Sequence, residues 1–473
     1  MEVRRLPLLL FVSYLNCCMT YAQQGYYLVQ SIATYNLPMY SALTTIPFEG
    51  DTISDAERIF SFLDQLKVNG VEYEPLWFDV NNLHIHKEVA TIAHRHSIDL
   101  WESDWRLIDK INQHAFGTFP KEYQAWGMEK NGAIIQLKDS IGNPMIDMLN
   151  PKSLEWLLDT LVENSYGSFL IKLRNYINGY LFDETKLIYR YEWTNRTRPM
   201  YYLLPVYSPS VLKQWKDFCK EHSVTFQNAF VDKFPVHAIN MVENNDTMKM
   251  YIPGYNENIN LQSGETFRTV SIDSQVWQAW YNFLCTTFTN SWLRPFASFI
   301  QEIFNSTENW KGIAYFQLLQ WELEYSDSLL RGIIIPAQYS GGIWSHSVGV
   351  DIIKIAKETN INYIICETYP PLTEFHNKCI TIVKTVSTNF HKKFGIMVHR
   401  NDYEFLNDTE ETKRWIVIND SSPDIIVRYP IPTVQKVLIH RKYSRTEFVL
   451  TESELKFIKS LESYRNNEAI MER

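Results

Sequence analysis

The chain of 473 residues carries a formal charge of −9, with 45% apolar, 21% charged and 14% aromatic residues. That balance can fill a large core, and it excludes a disordered tail protein, a collagen-like rod and a small disulfide scaffold. No Lys/Arg-rich stripe exceeds what a solvated helix face carries, so nucleic acid is not an expected partner.

At the N-terminus, Arg4 and Arg5 precede an almost unbroken apolar run from Leu6 to Tyr14, and the small residues Thr20 and Ala22 follow. This is the pattern of a secretory signal peptide, 1–22, cleaved after Ala22. The run is too short to span ~30 Å of hydrocarbon, and Asn16, Cys17 and Cys18 interrupt it. No later stretch approaches the ~18 apolar residues of a membrane span, so a secreted or lumenal protein without a membrane span is expected. Sequons at Asn195, Asn245, Asn305, Asn407 and Asn419 agree with a secreted glycoprotein. Cys219, Cys285, Cys366 and Cys379 are too few and too spread to frame the fold. With no C-x-x-C, neither a redox centre nor a structural zinc site is indicated.

Short apolar runs then alternate with amphipathic ones. Tyr26–Ile32 reads as a strand, and Ser54–Val68 as a helix with Ser54 and Glu57 in a capping-box arrangement. Val71–Phe78 is the second strand, His86–His96 a helix, and Ile98–Trp101 the third strand. An aromatic and polar insertion follows, from about Arg106 to Pro151, and Pro151 opens a helix over Ser153–Asn164. Gly179–Phe182 is a fourth strand. Helices are expected at Ser210–Glu221 and Gln275–Phe304, with a long polar region between them. Gly312–Leu319, Asn362–Cys366, Phe394–Val398 and Asp424–Val427 complete eight strands, with a helix at Val350–Lys357 and a charged helical tail at Glu452–Arg465.

Alternating strands and helices predict an α/β fold, a (β/α)8 TIM barrel with long insertions after strands 3 and 4 and a short charged C-terminal helical tail. Residues 23–430 would form the barrel and 431–473 a C-terminal extension. A doubly wound open sheet is the competing fold, but no G-x-G-x-x-G follows the first strand and no Walker loop occurs.

In such a barrel the reactive groups sit at the C-terminal strand ends. Those ends hold Trp77; Trp101, Glu102, Asp104 and Trp105; Asp183 and Glu184; Trp321 and Glu322; and Glu367 and Tyr369. Carboxylates interleaved with indoles and phenols suit sugars, whose C–H faces stack on rings while their hydroxyls bond to acids and amides. Glycosidic cleavage needs two carboxyl groups, one protonated and one ionised. An acid after an apolar strand is commonly an N-cap or a solvated loop charge. Asp183-Glu184 stands apart because Gly-Tyr-Leu-Phe precedes it, and alternation should turn only one of the two into the mouth. The Trp101–Trp105 cluster suits a substrate platform or packing. His84/His86 and His94/His96 are H-x-H pairs without an H-E-x-x-H frame, and a helix C-terminus favours His94 and His96 without metal. No G-x-S-x-G elbow occurs.

Gly-Tyr-Leu-Phe-Asp-Glu, preceded by Gly142-Asn143-Pro144 and Asn150-Pro151, resembles the fourth-strand region of clan A glycoside hydrolases, nearest to the family 42 β-galactosidases. The resemblance implies that Glu184 is the general acid/base and that the mechanism is retaining. Asp183 stands where many members have Asn. The clan's nucleophile is a Glu ending strand seven, and Glu367 lies at a plausible spacing for it. Glu367-Thr368-Tyr369-Pro370 equally resembles the strand-six motif of family 42. Strand seven would then be Phe394–Val398, ending in His399-Arg400 with no carboxylate.

The sequence therefore predicts a secreted glycoside hydrolase acting on a carbohydrate, with Glu184 and Glu367 catalytic. Asp183, Trp77, Trp101, Glu102, Asp104, Trp105, Trp321, Glu322 and Tyr369 would bind substrate. No metal and no cofactor is required. A secreted barrel that binds glycans without cleaving them is the competing reading.

Overall fold

Eight short, mostly apolar strands lie side by side, each parallel to its neighbours, and their pairing order closes on itself. They are β1 (Tyr27–Ser31), β2 (Gly70–Tyr73), β3 (Asp99–Ser103), β6 (Gly179–Asp183), β12 (Gly312–Gln317), β13 (Tyr363–Thr368), β14 (Lys393–His399) and β15 (Ile425–Tyr429). The computed structural model describes residues 27–31, 56–57, 60–61, 63–64, 68–73, 83–103, 120–128, 134–138, 144–163, 165–183, 185, 187, 189–191, 200–203, 207–222, 241–244, 247–250, 259–262, 275–317, 349–368, 374–399 and 420–429. With helices packed outside, this is an α/β barrel-like fold.

The strands' inward residues form one cluster: Trp101, Leu181, Ala314, Phe316, Tyr363, Ile365, Met397, Ile425 and Val427. Their outward residues join a second cluster with the helices, as Tyr180, Phe182, Ile313 and Tyr315 do. Strands buried on both faces are expected of parallel sheets, which explains why these segments read as near-continuous apolar runs.

Strand tilt sets the height of each inward residue. In a closed barrel tilted by ~36°, in-register neighbours differ in height, and residues at one height come from alternate strands. On the observed register, Gly179, Tyr363 and Ile425 lie lowest, then Trp101, Ala314 and Gly395. Glu72, Leu181, Ile365 and Val427 follow, then Ser103, Phe316 and Met397. Asp183 and Glu367 share the layer above, at the C-terminal mouth.

The opposite rim is held by a repeated side-chain clamp. The residue just before β6, β13 and β15 is Asn178, Asn362 and Asp424. Each accepts a hydrogen bond from the backbone N–H of the second residue of the preceding barrel strand: Leu100 (2.9 Å), Ile313 (2.8 Å) and Phe394 (2.9 Å). The clamping residue's own N–H returns a bond to that same residue's carbonyl. Gly312 makes room for one clamp: its φ is 125°, and a β-carbon there would strike the Asn362 side chain.

The helices follow the barrel. α1 (Leu83–Arg95) packs against β3. His94 Nε2 donates to Asn178 Oδ1 at 2.8 Å, and His96 Nε2 lies 3.1 Å from Glu57 Oε1, so both histidines are held by side-chain partners. α2 (Pro151–Leu157) starts at proline as expected, with Asn150 as N-cap, but ends well before Asn164. A second helix, α3 (Tyr166–Leu173), then starts from Ser165, whose hydroxyl accepts from Ser168 N–H. α4 (Pro209–Glu221) is N-capped by Ser208. α5 (Gln275–Phe288) continues through a π-helical turn, Thr289–Leu293, into α6 (Arg294–Phe304). α7 (Ile352–Glu358) and α8 (Glu374–Asn389) flank β13 and β14.

Two stretches add antiparallel strands. Between β3 and β6 lies a hairpin of β4 (Trp126–Met128) and β5 (Ile134–Gln136). Between β6 and β12 lie β7 (Tyr189–Tyr191), β8 (Met200–Leu203), β9 (Met241–Asn244), β10 (Thr247–Met250) and β11 (Ile259–Gln262), paired in the order β11-β10-β9-β8-β7. This sheet lies partly in the stretch read from sequence as a long polar region. The first stretch is tied to α4 by Asp147: Ser208 Oγ donates to Asp147 Oδ2 at 2.6 Å, and Leu149 N–H donates to Oδ1 at 3.0 Å. Burial pushes the Asp147 carboxyl up to about 7 despite those bonds. The tail Glu452–Arg465 lies outside the described residues.

Candidate functional site

The mouth of the barrel is defined by what each strand carries at its C-terminal end. On β6, Leu181 belongs to the interior cluster while Tyr180 and Phe182 belong to the outer one, so the period-2 alternation places Asp183 on the inward set. Asp183 is half-buried. On β13, Tyr363 and Ile365 are interior residues, which places Glu367 on the inward set as well, and its side chain is buried. Only β12 separates the two strands. Phe316 of β12 is in register with both Asp183 and Ile365 and forms an apolar floor between the acids. Two strand spacings across the curved wall, with Glu367 two residues beyond the Ile365 level, put the Cα atoms of Asp183 and Glu367 about 11 Å apart.

Glu184, Trp77, Asp104, Trp105, Trp321, Glu322 and Tyr369 lie outside the described residues. Two other expected site residues are not at the mouth. Trp101 is fully buried two layers below Phe316, against Gly179 and edge-on to Tyr363 with ring centroids 5.8 Å apart. It fills the base of the barrel, with no ring face exposed. Glu102 is also fully buried, but on the outward set of β3. The Tyr166 hydroxyl of α3 donates to Glu102 Oε1 at 3.5 Å and lies 3.0 Å from the Tyr180 hydroxyl. Glu102 therefore lies at the seam between barrel and helix.

Glu367 lies on the sixth strand in barrel order, not the seventh. The seventh strand, β14, has Met397, Val398 and His399 at its end, so the clan's strand-seven carboxylate has no counterpart there.

The sequence reading missed Glu72. It is in register with Trp101 and hence inward, buried within the barrel at the height of Leu181 and Ile365. Its signal was an acid directly after apolar Val71 in β2, which resembles an outward polar face. Inside a closed barrel the apolar residues pack against the helices instead, and the acid turns inward. Among the described residues, no group of three or more His, Cys, Asp or Glu is placed to hold a metal ion. No described helix is long and apolar enough to cross a membrane.

No family model matches the chain, and no curated protein matches it. Among solved structures, the chain is similar to the PgaB (BpsB) glycoside hydrolase domain from Bordetella bronchiseptica, at 10% sequence identity and a TM-score of 0.46. The match covers 87% of this chain and 97% of that chain.

Proposed function

We propose that the chain is a secreted glycoside hydrolase, a (β/α)8 barrel with insertions after its third and fourth strands that cleaves O-glycosidic bonds with two carboxyl groups. The observation that supports this reading is the sharing of one layer at the mouth by the inward acids Asp183 and Glu367. One group must protonate the leaving oxygen while the other stabilises or attacks the sugar carbon, or activates water. The resemblance assigns the acid to Glu184, and strand alternation gives the inward position on β6 to Asp183. Glu367 is the partner carboxylate in either assignment. With Cα atoms ~11 Å apart, the two inward side chains can face each other across the mouth; a carboxyl separation of ~5–5.5 Å would characterise retention and ~6.5–9.5 Å inversion.

A second reading, a glycan-binding protein without turnover, draws on one observation: β14 ends without the clan's carboxylate. A panel of aryl glycosides assayed with wild type, Asp183→Asn, Glu184→Gln and Glu367→Gln separates the two. Turnover by wild type that falls at least a hundredfold in Glu367→Gln and in one of the β6-end variants supports catalysis. Glycan binding without turnover by wild type supports the second reading.

A further inference from the structure

Among the Asn-x-Ser/Thr triplets, Asn305-Ser306-Thr307 lies within the described residues, whereas Asn195, Asn245, Asn407 and Asn419 lie outside them. The triplet sits where α6 ends. Asn305 is the C-cap of that helix, and its own N–H bonds to the Gln301 carbonyl at 2.9 Å. The chain then turns: Thr307 N–H donates to the Phe304 carbonyl at 2.9 Å, and Trp310 N–H to the Thr307 carbonyl at 3.3 Å. Asn309 takes a left-handed φ of 68°, and β12 starts at Gly312.

Two features make this triplet more than a chance pattern. The first is exposure. Asn305 and Ser306 are exposed and Thr307 is half-buried, while Phe304 just before them is fully buried. The Phe304 ring stacks on Trp310 with centroids 4.8 Å apart and anchors the turn from its inner side. Gln301 Nε2 donates to Asn305 Oδ1 at 2.8 Å. That bond turns the oxygen toward the helix and leaves Nδ2, the atom that would carry a sugar, on the far side of the amide.

The second feature is place. Lys311 N–H donates to the Asn178 carbonyl at 2.6 Å, and Gly312 is in register with Gly179 in the lowest layer of the barrel. The turn therefore leads into the clamped rim, at the end opposite Asp183 and Glu367. A glycan is bulky and solubilising and belongs at the surface; carried on this rim it leaves the mouth open.

We propose that Asn305 is an N-glycosylation site, carrying an oligosaccharide on the rim opposite the mouth. Transfer from a lipid-diphosphate-linked oligosaccharide forms a bond between Asn305 Nδ2 and the anomeric carbon. The sugar–phosphate C–O bond breaks, the lipid diphosphate leaves, and the amide gives up one proton. Thr307 completes the acceptor triplet. This rests on the secretion part of the reading above and not on turnover.

The full chain would be expressed in insect cells in two forms, with its own residues 1–22 and with those residues replaced by a proven secretory leader. Peptide-N-glycosidase in heavy-oxygen water converts each occupied asparagine to a labelled aspartate, which peptide mass spectrometry reads. The expected result is occupancy of Asn305 in most molecules of both forms, lost in Thr307→Ala and kept in Thr307→Ser, with thermal melting as the folding control. Unmodified Asn305 in protein recovered from the medium or the secretory lumen overturns the proposal, as does occupancy that survives Thr307→Ala. Occupancy with the replacement leader but not with the chain's own residues 1–22 sinks the secretion reading and leaves Asn305 as an acceptor.

Discussion

The indole of Trp101 occupies the space that a side chain on Gly179 would need: a β-carbon built on Gly179 would overlap the ring. Trp101 on β3 and Gly179 on β6 are in register, so large and small residues interdigitate at the base of the barrel. Gly179→Ala should therefore destabilise the fold by about 1–3 kcal/mol through overpacking. A urea titration reads this as a lower midpoint. An unchanged midpoint would mean that Trp101 is free to move, and would reopen its role as a ligand platform.

The rim clamps make a second prediction. Asn362→Ala removes the acceptor of the Ile313 N–H and should cost about 1 kcal/mol, whereas Asn362→Asp keeps an acceptor oxygen and should cost less. Thermal melting of both variants checks the order. Equal melting temperatures for the alanine variant and wild type would show that the clamp adds nothing to closure.

Asp147 makes stability depend on pH. In the unfolded chain the carboxyl ionises near 3.8, and burial in the fold pushes it up to about 7. Below the lower value both states hold the proton. Between the two values the folded state holds it and the unfolded state releases it, so stability falls as pH rises, by at most ~1.4 kcal/mol per unit. Asp147→Asn removes this titration, and its urea midpoint should fall less between pH 5 and pH 8 than that of wild type. Parallel pH curves for the two proteins would refute the assignment.

Glu102 and the mouth acids should separate stability from activity. Because Glu102 is buried under α3 beside Tyr166, Glu102→Gln should alter the melting temperature and change kcat/KM on a glycoside less than threefold. A hundredfold loss with an unchanged melting temperature would return Glu102 to the site.

The eight barrel strands were legible because buried parallel strands are apolar runs bounded by amphipathic helices. The element α3 was not, since six of its residues, Tyr166 to Leu170 and Leu173, are buried and little polar face marks the period. Nor was α8, which is rich in β-branched residues; Thr381, Thr385 and Thr388 bond back to the carbonyl four residues earlier, masking its helical preference. Strands β7 to β11 are three or four residues long, too short for alternation to stand out. At the site, the sequence placed Asp183 and Glu367 at strand ends. It could not tell inward from outward, because a shift of one residue along a strand exchanges the faces. Glu102 was grouped with the mouth acids and Glu72 was missed for that reason.

The most direct test of a two-carboxylate site at the mouth is the turnover number of Glu367→Gln on an aryl glycoside that wild type cleaves, with folding verified by thermal melting. The account predicts a fall of at least a hundredfold with the fold intact. A folded Glu367→Gln variant that retains wild-type turnover would contradict it.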